Sequence, residues 1–299
     1  MDTIDERLAV IQPLNKFWYA NKVAALDMLR LDLIHPVVSG NKWFKLRLNM
    51  NHAIESGYKT IITSGGGFSN HLVATAYASK LFGIKSIGVV RGRYNVLTPT
   101  LEACKEYGME LVFVTREDYA GRHEPNWARN LVAHFDETFM IPEGGANEWG
   151  RAGAGLLNRF INGQYTHVAV AVGSATTMIG IRNKTSNQQQ ILGFAPMKQG
   201  AYLNGYISTH AVPEKNANWR LFDNWHFGGF GKWSNELIGF MNEFYKENNI
   251  PLDIVYTSKM MYGLHEMLTD NFFTESDKIL CIHSGGLQGN VTVKHLLKY

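Results

Sequence analysis

Short runs of Val, Ile, Leu and Ala alternate along this chain with longer stretches whose apolar residues recur every three or four positions. The first pattern predicts buried strands and the second predicts helices with one apolar face. TIITSGG (60–66) reads as a strand entering a Gly-rich turn, and NHLVATAYASKLFG (70–83) as the following helix, stopped at Gly83. The alternation continues with strand SIGVVRG (86–92), a helix around TLEACKEYG (100–108), strand LVFVT (111–115) and helix WARNLVAHF (127–135). Beyond PEGGANEWG a helix runs to about Ile161, then come strand THVAVAVG (166–173), a helix start and strand QILGFAP (190–196). Residues 200–233, rich in Gly and aromatics, read as irregular. Helix NELIGFMNEFYKEN (235–248), strand DIVY (253–256), helix KMMYGLHEMLTD (259–270) and strand KILCIHSGG (278–286) complete the pattern.

Strands joined by crossover helices imply an α/β fold with parallel sheets covered on both faces. The near-continuous apolar strands agree, because a parallel sheet is buried on both sides. At 299 residues the chain has room for one large or two mid-sized domains. In such folds ligands bind beyond the carboxyl ends of the strands. Four segments end a strand with small residues: SGGGFSNH (64–71), PEGGAN (142–147), VGSATT (172–177) and IHSGG (282–286).

Charge and composition mainly exclude. The 29 basic and 26 acidic residues are dispersed without a basic stripe, so nucleic acid is not implied. There is no bilayer-length apolar run and no secretion-type N-terminus, and a soluble cytoplasmic protein is expected. Cys104 and Cys281 lack metal spacing and read as buried thiols. The histidines show no HExxH or other ligand spacing, so no metal is expected, and His283 reads as structural.

The strand-end segments carry the candidate chemistry. In VGSATT, Gly173, Ser174, Ala175, Thr176 and Thr177 offer backbone N–H groups and hydroxyls at a helix start, which suits a phosphate; the plainer reading is an ordinary capped turn. No Walker lysine or G-x-G-x-x-G pattern accompanies it. Lys42 follows Ser39-Gly40-Asn41 at the start of an amphipathic helix. Most lysines are solvated charges, but one at such a place with a depressed pKa can act as a carbonyl-binding amine. Ser69 and Asn70 follow three glycines, where free N–H groups up to His71 can grip a carboxylate and Ser69 can move a proton; both are also common helix caps. Tyr256 closes the DIVY run and can lay its ring on a planar ligand, although a core tyrosine is the plainer reading.

Taken in order, SGNKWFKL (39–46), SGGGFSNH, PEGGAN, VGSATT, VYTSKMMYGL (255–264) and IHSGG resemble the 1-aminocyclopropane-1-carboxylate deaminase and D-cysteine desulfhydrase family of pyridoxal phosphate enzymes. The resemblance implies the tryptophan-synthase-β-like fold (fold type II), with two three-layer αβα domains. Residues 1–45 and 146–299 would form the larger cofactor domain, and 46–145 a smaller mobile domain. It makes Lys42 the Schiff-base lysine, places Ser69 and Asn70 near substrate and cofactor, and puts the phosphate on Gly173 to Thr177. Tyr256 becomes the active-site tyrosine, and Thr257 would face the pyridine nitrogen. It further implies a small amino-acid substrate, a 2-oxo acid and ammonia as products, and a homodimer.

Three departures from the family pattern stand out. Ala175 and Thr176 replace frequent glycines, so the phosphate turn must adjust at one backbone position or adopt negative φ. Thr257 stands where the deaminases carry glutamate and the desulfhydrases threonine. Phe230, in Gly-Phe-Gly, replaces a second tyrosine. These changes favour β-elimination from a D-cysteine-like substrate over cyclopropane opening. An L-serine or L-threonine dehydratase and a noncatalytic metabolite-binding protein on the same fold are the competing readings.

Overall fold

A computed structural model describes residues 4–19, 22–124, 126–127, 130, 137–215 and 218–299. Ten strands are described: β1 (Val10–Pro13), β2 (Ala25–Arg30), β3 (Thr60–Gly66), β4 (Lys85–Arg91), β5 (Glu110–Val114), β6 (Thr138–Ile141), β7 (His167–Ala171), β8 (Gln190–Phe194), β9 (Trp219–Phe222) and β10 (Lys278–His283). They form a six-stranded sheet in the order β1-β2-β10-β7-β8-β9 and a four-stranded sheet in the order β5-β4-β3-β6. Every pairing is parallel except β1 with β2 at one edge. The described helices of eight residues or more are α1 (Asn41–Glu55), α2 (Asn70–Phe82), α3 (Pro99–Glu106), α4 (Glu148–Gly155), α5 (Thr176–Lys184), α6 (Leu203–His210), α7 (Asn235–Asn248) and α8 (Thr257–Thr269).

Local signals explain most boundaries. Ser69, Thr98, Asn147 and Ser234 each accept a backbone N–H at a helix start, and Gly83 closes α2 in the left-handed conformation. The expected strands at 60–66, 86–92, 111–115, 166–173, 190–196 and 278–286 are present, trimmed by a few residues at their Gly-rich ends.

DIVY is not a strand. Residues 254–256 form a turn, because the Asp253 carboxylate captures the N–H groups of Val255, Tyr256 and Thr257 that a ladder would need. Within 200–233, read as irregular, the chain forms α6 and β9. Most of the helix expected at 127–135 lies outside the described residues. β1, β2 and β6 had no counterpart in the sequence reading. In β2, Ala-Leu-Asp-Met-Leu-Arg has helix-favouring composition, overridden by its pairing with β1 and β10.

One apolar cluster joins the two sheets. Phe44, Leu46, Met50 and Ala53 of α1 pack with Ile61, Ala74 and Ile141 and also with Val168, Val170 and Ile282. A second cluster covers the opposite face of the larger sheet with Leu237, Met241, Phe244, Met260, Met261 and Leu264. Cys104 and Cys281 are free, buried thiols, and burial pushes the Cys104 thiol up to about 12. No described helix is long and apolar enough to cross a membrane.

Candidate active site

The strand-end segments converge on the start of α1. Gly40 adopts φ 64°, and a Cβ there would fall 1.9 Å from the Ser284 carbonyl oxygen, so the 39–42 and 282–286 segments meet backbone to backbone. Beneath them His283 is fully buried, its Nε2 2.7 Å from the Pro251 carbonyl and its Nδ1 3.4 Å from Asp32. Asp32 also pairs with Arg30 at 2.7 Å. Burial opposes this charge, yet His283 and Arg30 hold the Asp32 carboxyl below the usual carboxylate range. His283 is thus a structural brace.

Lys42, half-buried, donates from Nζ to Asn41 Oδ1 at 2.8 Å. Asn41 Nδ2 in turn donates to Thr177 Oγ1 at 2.9 Å, a direct link between the lysine and the 173–177 turn. Burial lowers the Lys42 amine to about 8, against the attraction of Asp253. Its Nζ lies 5.9 Å from the centroid of the Tyr256 ring. That ring packs on Gly173, where a Cβ would come 3.2 Å from Tyr256 Cε1. Burial, then Asp253 and Glu143, raises the Tyr256 phenol, which therefore stays protonated.

The 173–177 turn feeds α5 without any side-chain cap, and Ala175 takes the left-handed conformation at φ 59°. Replacing glycine has therefore not moved the backbone to negative φ, and Ala175 bears a cost of about 1–2 kcal/mol. Ser174 and Thr176 hydroxyls lie 2.9 Å apart, and Ser174 Oγ reaches the Gly144 carbonyl at 3.5 Å. The PEGGAN segment thereby joins the turn.

From the smaller sheet, Ser69 caps α2 by accepting the Leu72 N–H at 3.3 Å, so the capping role is real and its own proton remains to donate. Asn70 Oδ1 is buried without a hydrogen-bond partner. His71 is buried with Nε2 2.9 Å from Thr63 Oγ1; burial, then Lys45 and Lys42, depress its pKa and keep it neutral. Thr257 is fully buried and turned to Asp253: its hydroxyl donates to Oδ2 at 2.7 Å and accepts the Asp253 N–H at 2.8 Å. Phe230 stands edge-on to Tyr256 with ring centroids 5.6 Å apart.

The sequence reading missed three polar residues here. Asn41 is the link just described. Lys45, 4% exposed, sits one turn beyond Lys42 beside Gly145 and His71; burial and then Lys42 push its amine well below the usual lysine range. Among the described residues no carboxylate pairs with it. Its spacing of three from Lys42, between apolar Phe44 and Leu46, was the available signal. Asp253 shows in sequence only as an acid four residues before a helix.

A half-buried Lys42 with a lowered pKa and a buried Lys45 without an ion-pair partner, together with an uncapped helix start at the strand ends, suit a phosphorylated organic cofactor. The chain belongs to the pyridoxal-phosphate-dependent enzyme family, whose model matches residues 24–285. It is 28% identical to a Thermotoga maritima protein provisionally named 1-aminocyclopropane-1-carboxylate deaminase, over 87% of this chain and 88% of that one. It is 27% identical to the Arabidopsis thaliana mitochondrial bifunctional D-cysteine desulfhydrase/1-aminocyclopropane-1-carboxylate deaminase, over 84% of this chain and 70% of that protein. A crystal structure of a homologue of 1-aminocyclopropane-1-carboxylate deaminase superposes with a TM-score of 0.84 at 25% identity, covering 99% of this chain and 95% of the other. The architecture is that of fold type II. The residues fit pyridoxal phosphate: the uncapped α5 start and unpaired Lys45 suit a dianion, and Asn70 Oδ1 is an acceptor still lacking a donor.

Proposed function

We propose that this chain converts a small amino acid, D-cysteine or one of similar shape, to a 2-oxo acid and ammonia, with Lys42 holding the cofactor. The observation that carries this reading is the Lys42–Asn41–Thr177 chain, which ties a depressed lysine to the open turn. The N–H groups and hydroxyls of Gly173–Thr177 would hold the phosphate, with the Lys45 amine, which a dianion beside it would favour in protonated form, and Asn70 would hold a polar edge of the ring. Bound pyridoxal phosphate supplies an electron sink for negative charge developing at the substrate α-carbon. The N–H groups of the Ser69–His71 turn orient the substrate carboxylate. Lys42 Nζ, close to half neutral at pH 8, accepts the α-proton. Ser69 Oγ and the protonated Tyr256 hydroxyl are the donors available to a departing group.

A cyclopropane amino acid has no α-hydrogen for Lys42 to accept, and Phe230 provides no second hydroxyl. Thr257, in turn, brings no carboxylate to the pyridine nitrogen. Elimination of a β-substituent therefore suits these residues better than ring opening. We place the smaller, mobile domain at 46–145 and the larger at 1–45 and 146–299, and expect a homodimer, which light scattering checks.

The deciding experiment is a panel of amino acids, both enantiomers plus 1-aminocyclopropane-1-carboxylate, assayed for ammonia and 2-oxo acid. Sulfide release from D-cysteine by yellow protein is the expected result. Turnover of L-serine or L-threonine alone would move the assignment to a dehydratase. Colourless protein that cannot be reconstituted, with no turnover, would make it a binding protein.

A further inference from the structure

Lys259 is the third residue of α8 and only 2% exposed. Its Nζ donates to three backbone carbonyls: His226 at 2.9 Å, Gly229 at 2.9 Å and Pro196 at 3.3 Å. All three ammonium protons are therefore used. Burial lowers its pKa to about 8, against the pull of Asp253. No described carboxylate is within ion-pair distance. Burying such a charge costs stability, and its three carbonyl bonds are what offset that cost.

Two of the three carbonyls, those of His226 and Gly229, belong to one segment. Phe227, Gly228, Gly229 and Gly231 all have positive φ, so residues 227–231 follow no regular ladder. Among the described residues their internal support is three bonds of 3.0 Å, from Gly229 N–H to the His226 carbonyl, Lys232 N–H to the Gly229 carbonyl and Gly228 N–H to His226 Nδ1. Phe230 rides on this segment, 56% exposed, with its ring edge-on to Tyr256. Lys259 and Tyr256 lie three residues apart, at the start of the same helix. The lysine thus ties the segment to the element that begins beside Tyr256, and through Pro196 to the end of β8.

We propose that Lys259 is a positioning residue, a built-in cation that gathers the 226–231 carbonyls and thereby sets Phe230 against Tyr256 as a wall of the substrate site. The inference rests on the proposed function only in taking Tyr256 as part of that site. Three carbonyl oxygens converging on one ammonium would accept a free alkylammonium ion equally well. Truncating the side chain leaves both the ligands and the space.

The test is hydrogen exchange of peptides spanning 224–233 in the full-length protein, with Lys259→Ala and Lys259→Met. Exchange of this segment should rise at least tenfold in both variants, while peptides of β10 stay unchanged. In Lys259→Ala, methylammonium chloride should restore protection, and sodium chloride of equal ionic strength should not. With a substrate from the panel, kcat/KM should fall about tenfold or more through KM, with cofactor absorbance retained. Should Lys259→Ala fail to fold, Lys259→Met keeps the stem packing and reports alone. Exchange within twofold of the parent overturns the proposal, as does a rise that methylammonium leaves untouched in a folded Lys259→Ala protein. Loosened exchange with unaltered KM overturns the link to Phe230. If the parent turns over no amino acid, the functional reading fails, yet exchange still decides whether Lys259 orders the segment.

Discussion

Two turns at the floor of the site, 173–177 before α5 and 253–257 before α8, treat negative charge in opposite ways. The second supplies its own anion: Asp253 accepts the N–H groups of Val255, Tyr256 and Thr257 and the Thr257 hydroxyl, at 2.7 to 3.0 Å. The first has no acidic side chain, no cap and a left-handed Ala175, with Lys45 unpaired among the described residues nearby. Both open a helix, where free backbone N–H groups favour negative charge. An internal carboxylate makes one of them architecture, and its absence leaves the other open, which is why we propose it as the receptor. The contrast separates scaffold from site without reference to any bound molecule.

The strongest test of that contrast removes the amine beside the open turn. Lys42→Ala should lower turnover by roughly 10³-fold or more and abolish the borohydride-reducible adduct. A retained adduct would place cofactor attachment elsewhere. On the closed turn, Asp253→Asn should cost about 2–3 kcal/mol of stability, because bonds to a buried carboxylate are the strong ones. Chemical denaturation measures this, and a loss below about 0.5 kcal/mol would mean the turn does not need its internal anion. Thr177→Val, on the open side, should instead weaken pyridoxal phosphate about tenfold, near 1.4 kcal/mol, in an equilibrium titration. Cofactor loading should speed up with pH through 8, since the neutral Lys42 amine is the reactive form. From pH 7 to pH 8 its fraction grows about fivefold, whereas a flat loading rate would contradict the depressed pKa. Smallest of all, Ala175→Gly should relieve backbone strain and raise stability by up to about 1 kcal/mol, read as a higher Tm.

The open turn was the more legible of the two. Its small residues interrupt an apolar strand, and such interruptions survive as composition at 64–71, 142–147, 172–177 and 282–286 alike. The closed turn was misread as a strand, because Ile254 and Val255 have β-favouring side chains while the deciding interaction is local capture by one aspartate. Buried charge was invisible for a different reason. Lys45 and Lys259 look like any surface lysine until packing withdraws their water, and only the surrounding apolar residues hinted at it. The β2 segment shows the same limit for backbone: pairing with partners at least 14 residues away in β1 and 253 away in β10 decides its state.

The apolar cluster shared by the two sheets has a mechanical meaning. Phe44, Leu46, Met50 and Ala53 press on both sheets, so the helix that bears Lys42 is held between two slabs. Any shift of one slab against the other must repack this helix as well.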